Sequence, residues 1–139
     1  MFLPDINFWL ALTFEVHAHH IRAKEFFDSH PSESIFFCRF TQQGFLRLAS
    51  NATVFGDEAV SLREGWGLYE KMLSDPRVNL AEEPNDLERH WRNYTNVGSR
   101  SPKFSSDAFL AAFARAADFR LVTFDRGFGQ FKDLNCLIL

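Results

Sequence analysis

The sequence predicts an α/β protein, a three-layer α/β/α sandwich around a central, mostly parallel sheet. Short apolar runs rich in phenylalanine, isoleucine and valine alternate with longer stretches of helical periodicity, the pattern of consecutive βαβ units. Seventeen phenylalanines in 139 residues, within a hydrophobic content of 46%, supply enough large side chains for a layered core in one domain spanning the whole chain. Asp5, Asp107 and Asp125 each stand where an apolar run stops or starts. In an open α/β sheet, ligands bind at the carboxyl ends of the strands.

The elements follow in order. Met1 to Leu3 reads as a short buried strand, and Pro4 suits its end. Ile6 to Leu12 has helical spacing, and Asp5 is placed to cap it. His17 to His30 carries Ile21, Ala23, Phe26 and Phe27 as an amphipathic helix. Ser34 to Phe40 is the second strand, and a helix starts at Thr41 with Phe45, Leu46, Leu48 and Ala49 on its apolar side. Asp57 through Ser74 reads as one long helix, stopped by Asp75-Pro76. Arg77 to Leu80 is a third strand. A helix then opens at Pro84 and runs to about Asn96 through Leu87, Trp91 and Tyr94. Gly98 to Pro102 is a polar loop. Phe109 to Ala117 is an alanine-rich helix, Phe119 to Phe124 a strand, and Cys136 to Leu139 an edge strand.

Net charge and cysteine usage narrow the class. A formal charge of −3 and a pI near 5.9 give no global basic field, which argues against sequence-blind coating of DNA. No apolar run approaches the roughly 20 residues a membrane span needs. The N-terminus has no basic segment leading into a long apolar one, so no secretory signal is expected. Cys38 and Cys136 both lie in apolar segments and read as reduced core thiols of a cytoplasmic protein.

Each aspartate has a plain structural reading. Asp5 can be a helix cap, Asp107 a residue favouring a helix dipole after Ser105-Ser106, and Asp125 a turn former before Arg126-Gly127. Brought together, they would repel one another unless a cation neutralised them, and hard oxygen ligands point to Mg²⁺ or Mn²⁺. His17, His19 and His20 do not share one helix face and read as solvated or partly packed. His90 reads as a surface residue. Thr123, two residues before Asp125, could hydrogen-bond a carboxylate or water, and Asn7 could orient Asp5.

Leu-Pro-Asp-Ile-Asn at 3–7, Thr-Gln-Gln-Gly-Phe-Leu-Arg-Leu at 41–48, Ser-Ser-Asp-Ala-Phe-Leu-Ala-Ala-Phe-Ala at 105–114 and Leu-Val-Thr-Phe-Asp-Arg-Gly-Phe at 121–128 resemble the PIN domain. Within it they are most similar to the VapC toxins of bacterial toxin–antitoxin pairs. The resemblance covers nearly the whole chain and rests on motif order, chain length and the 18-residue interval from Asp107 to Asp125. It implies a Mg²⁺- or Mn²⁺-dependent endoribonuclease. Asp5 and Asp107 would hold the ion, with Asp125 helping directly or through water, and no nucleophilic side chain would be needed.

In one position the chain departs from that pattern. Where PIN nucleases usually carry a glutamate, this chain has Gln42, followed by Gln43. A neutral oxygen can orient water or touch a metal but adds no charge, so one tightly held ion is expected. Arg39, Arg47, Arg100, Lys103 and Arg126 flank the motif-bearing segments and are the candidate RNA contacts, the Gly98–Lys103 loop foremost. Single-stranded or looped RNA is the expected substrate form, with Phe104 and Trp91 more suited to core packing than to base stacking. The resemblance further implies a homodimer with a shared groove and an antitoxin segment lying across it. The stretch from Phe8 to Phe27, with Trp9, Phe14, Ile21 and Phe26, offers apolar area either for such a partner or for the core.

Two rivals belong to other classes. A catalytically weak PIN module would bind RNA or protein without cutting. A metal-dependent phosphatase would want a second aspartate two residues after Asp5, where Asn7 stands.

Overall fold

Five short strands pair in a sheet of order β3-β2-β1-β4-β5, with β1 at Phe2–Pro4, β2 at Ile35–Phe37, β3 at Val78–Leu80, β4 at Arg120–Thr123 and β5 at Cys136–Ile138. Every pairing is parallel, in the register Phe2 opposite Ile35 and Arg120, Ile35 opposite Val78, and Thr123 opposite Ile138. The computed structural model describes all residues from Met1 to Leu139. Seven α-helices connect the strands: α1 (Ile6–Thr13), α2 (His20–Ser29), α3 (Arg39–Ala49), α4 (Ala52–Phe55), α5 (Leu62–Leu73), α6 (Leu87–Thr95) and α7 (Pro102–Ala116).

Alternation along the strands divides the core into two layers. Phe2, Ile35, Phe37, Val78 and Val122 face one way and pack with residues of α1, α2, α3 and α5. Leu3 and Leu121 face the other way and meet Leu87 of α6 and the Ala108–Ala114 stretch of α7. In the first layer the Trp9 ring lies flat on Phe37, with centroids 3.7 Å apart and planes 13° from parallel. In the second, Phe36 stacks on Phe119 at 4.6 Å. The α/β/α sandwich expected from the sequence is therefore present, and its sheet is parallel throughout.

Several boundaries differ from the expected ones, for local reasons. The helix bearing Asp107 starts at Pro102 instead of following a loop. Ser101 caps it by accepting from the Phe104 amide at 3.1 Å, and Pro102 takes the first-turn position where no amide donor is needed. Asp107 thus lies in the second turn, not at the helix start. Strand β2 ends at Phe37, because Cys38 and Thr41 form a reciprocal cap that starts α3 at Arg39. The expected long helix from Asp57 is divided: Gly56, at φ +54°, ends α4, and Ser61 with Glu64 forms a capping box for α5. His17 to His19 precede α2 instead of lying in it, and α6 begins at Leu87 instead of Pro84.

The apolar stretch from Phe8 to Phe27 mostly completes the core. Phe8, Trp9, Phe14 and Phe26 are buried, whereas Ile21 is 72% exposed. Phe104 packs near Phe131, and Trp91 sits edge-on to Phe109. Cys38 and Cys136 are both free thiols, Cys38 buried in the core and Cys136 only half-buried on the edge strand. No helix is long and apolar enough to cross a membrane.

Phe37 touches Trp9, Phe45 and Tyr69 at the centre of the first layer. Phe37→Ala is expected to lower stability by about 3–5 kcal/mol, read as a shift of the urea unfolding midpoint.

Candidate active site

The strand order reverses beside β1: β2 and β3 extend to one side of it, β4 and β5 to the other. Loops leaving β1 and β4 at their carboxyl ends therefore diverge and open a crevice between them. Asp5 and Asp125 follow those two strands, and α7 brings Asp107 to the same crevice.

Asp5 is the buried member, 6% exposed. Its amide continues the β1–β4 pairing by donating to the Val122 carbonyl at 2.9 Å. One carboxylate oxygen caps α1 by accepting from the Phe8 amide at 2.8 Å, and the other accepts from the Thr123 hydroxyl at 2.6 Å. The same hydroxyl oxygen accepts from the Asp125 amide at 2.9 Å. Thr123 thus ties two of the three aspartates together and fixes the rotamer of Asp5. Burial pushes the Asp5 carboxyl up to about 6; the two hydrogen bonds oppose the rise, and the charges of Asp125 and Asp107 add to it.

Asp125 turns back on its own loop, accepting from the Gly127 amide at 2.7 Å. Its second oxygen takes a 2.6 Å hydrogen bond from the Lys103 ammonium. Lys103 also donates to Asp107 at 2.6 Å, an i,i+4 pair along α7. These contacts hold the Asp125 carboxyl below the usual carboxylate range, Lys103 first and Gly127 second. They raise Lys103 in turn.

Of the remaining candidates, Gln42 is buried, and its side-chain oxygen accepts from the Arg39 guanidinium rather than meeting the aspartates. Arg126 and Asn7 line an open cavity of about 470 Å³ with His17, His19, Phe124 and Asp125. Here the His19 ring stacks on Phe124 at 4.3 Å. Arg47 and Arg100 are exposed and donate nothing to the acidic residues. The histidines form no ligand set: His17 accepts from the His19 amide, and His20 bonds to the Ala11 carbonyl. No three His, Cys, Asp or Glu side chains surround a single point; an ammonium group stands between Asp107 and Asp125.

The Lys103 bridge is the feature that sequence reading missed. Its signal was the four-residue interval from Lys103 to Asp107, which acquires meaning only once the helix is known to begin at Pro102. The His19–Phe124 stack joins segments too distant in sequence to be paired by inspection.

Residues 2–134 match the PIN domain family. Ribonuclease VapC41 of Mycobacterium tuberculosis is 40% identical over 144 aligned positions, which cover 100% of this chain and 99% of that protein. Ribonuclease VapC38 of the same organism is 31% identical, covering 91% of this chain and 86% of its own length. Among solved structures, the fold matches Mycobacterium tuberculosis VapC20, a Sarcin-Ricin loop cleaving toxin, with a TM-score of 0.72 at 20% identity over 97% of this chain and 98% of that one. It also matches VapBC2 from Rickettsia felis, solved with a DNA fragment from its promoter, with a TM-score of 0.73 at 10% identity over 99% and 97% of the two chains. At those identities the two structures bear on the fold alone.

The raised Asp5 pKa makes a prediction about metal-free protein. A carboxyl near 6 when folded and 3.8 when unfolded stabilises the fold fully below 3.8, and that contribution is lost as pH rises through 6. Asp5→Asn is therefore expected to be more stable than the parent at pH 7.5 in chelator, by about 1–3 kcal/mol. The advantage should shrink toward zero near pH 4, as read by urea unfolding at both values.

Proposed function

This chain belongs to the PIN domain family and, within it, to the VapC ribonucleases, and we propose that it is the toxin of a toxin–antitoxin pair that hydrolyses RNA with a divalent cation held by Asp5 and Asp107. The observation that supports this reading is the position of Asp5 and Asp125 after the adjacent strands β1 and β4 at the sheet's switch point, with Lys103 joining Asp125 to Asp107 of α7. The donor set suits Mg²⁺ or Mn²⁺. Its oxygens are hard, burial first and the neighbouring carboxylates last raise Asp5, and a cationic side chain already bridges the other two members.

When bound, such an ion polarises a phosphoryl oxygen, lowers the pKa of an attacking water and neutralises charge on the leaving oxygen. The protein's own groups supply orientation. Thr123 holds Asp5 in one rotamer and leaves it ionised through most of the neutral range, despite burial. Asp125, anchored by the Gly127 amide, positions water at the edge of the crevice. Arg126, exposed beside the acidic residues, is placed to meet a substrate phosphate. Single-stranded or looped RNA is the substrate form that an open crevice of this kind admits. The partners that accompany this reading are a second copy of the chain and an antitoxin segment covering the crevice.

Gln42 supports a second reading, in which the domain binds RNA or protein without cutting. It carries no charge, and Arg39 takes its side-chain oxygen.

Cleavage of a mixed RNA pool by purified, antitoxin-free protein distinguishes the two. Cutting is expected with Mg²⁺ or Mn²⁺, none with chelator, and Asp107→Asn should lower the rate at least about a hundredfold. No cutting by folded protein in either metal would favour the binding module. Thr123→Val is expected to reduce activity by about 10- to 100-fold while leaving the fold intact, checked by circular dichroism beside the cleavage assay.

A further inference from the structure

We propose that Lys103 is a built-in competitor for the cation site: its ammonium occupies the Asp107–Asp125 carboxylate pair and lowers the affinity of that pair for a divalent ion. The inference rests on the metal-dependent reading above and concerns what sets its strength.

Geometry carries the argument. The Lys103 ammonium makes 2.6 Å hydrogen bonds to both Asp107 and Asp125, bridging α7 to the loop after β4. An ion seated between the two contacted carboxylate oxygens must displace that ammonium, because the two cations cannot occupy one position. The side chain has somewhere to go. It is 67% exposed and stands in the first turn of α7, so rotation about its stem carries the charge into solvent without disturbing the helix. Asp107 is less free, at 17% side-chain exposure on the second turn.

The charge balance agrees with the geometry. Three aspartates line the crevice, and Gln42, neutral and engaged by Arg39, adds no charge to them. While no ion is bound, the Lys103 ammonium offsets part of their charge, and a divalent ion that displaces it takes over that role.

The test is Mn²⁺ binding, read from the free-Mn²⁺ signal in electron paramagnetic resonance, for the parent, Lys103→Met, Lys103→Arg and Asp107→Asn. Methionine keeps the stem and the helix propensity. Lys103→Met is expected to bind Mn²⁺ about 2- to 30-fold more tightly than the parent, the range two exposed ion pairs can supply. Lys103→Arg should stay close to the parent, and Asp107→Asn should lose the site. As a second readout, adding Mg²⁺ should raise the rate at which Lys103 is acylated by an amine-reactive reagent, followed by mass spectrometry. Binding by the parent that is lost in Asp107→Asn but unchanged or weaker in Lys103→Met would overturn the competition while leaving the metal site standing. Absence of Mn²⁺ binding by both the parent and Lys103→Met would overturn the two readings together.

Discussion

The hydrogen bond from the Thr123 hydroxyl to the buried Asp5 carboxylate is the contact on which the rest of the site depends. A carboxylate buried at the carboxyl end of the central strand is costly, since burial favours its neutral form. Two donors offset that cost, and they come from two different elements: the first turn of α1 and the last residue of β4. The same hydroxyl oxygen then accepts the Asp125 amide, so the loop after β4 is positioned by the residue that steadies Asp5. One hydroxyl oxygen thus joins the buried carboxylate to the loop that carries Asp125.

How much of this was legible in the sequence depends on the range of each interaction. Strands β1, β2 and β4 were readable because β-branched and aromatic clusters stand between stretches of helical periodicity. The aspartates were readable because they interrupt those runs. What escaped detection depended on caps and on packing. Gly98 to Pro102 has loop composition, yet Pro102 belongs to the first turn of α7, and only the Ser101 cap reveals it. Cys38 is a poor capping residue by type, so nothing in the sequence announced that α3 would begin at Arg39. The apolar run of α1 could face either a partner or the sheet. Its Trp9 is committed to the core by a ring, Phe37, lying 28 residues further on.

The acidic crevice is also where favourable local structure and electrostatic strain meet. Gly127 and Phe8 amides, the Thr123 hydroxyl and the Lys103 ammonium are all aimed at carboxylate oxygens. Each donor lowers the cost of holding like charges together, yet Asp5 remains displaced toward its neutral form. The fold tolerates this imbalance because the two core layers on either side of the sheet are dense with aromatic contacts and hold the strand ends in place.

The early start of α7 imposes a counting rule on this chain. A helix advances about 100° per residue, so the number of residues between the Pro102 start and Asp107 sets the direction in which that carboxylate points. Inserting or deleting one residue in this interval would swing Asp107 away from the crevice while leaving the helix itself sound. The same change a few positions earlier, in the exposed segment before Ser101, would only lengthen or shorten a connection. Tolerance to length variation should therefore fall abruptly at Ser101, a boundary invisible in composition and set by one serine hydroxyl and one proline ring.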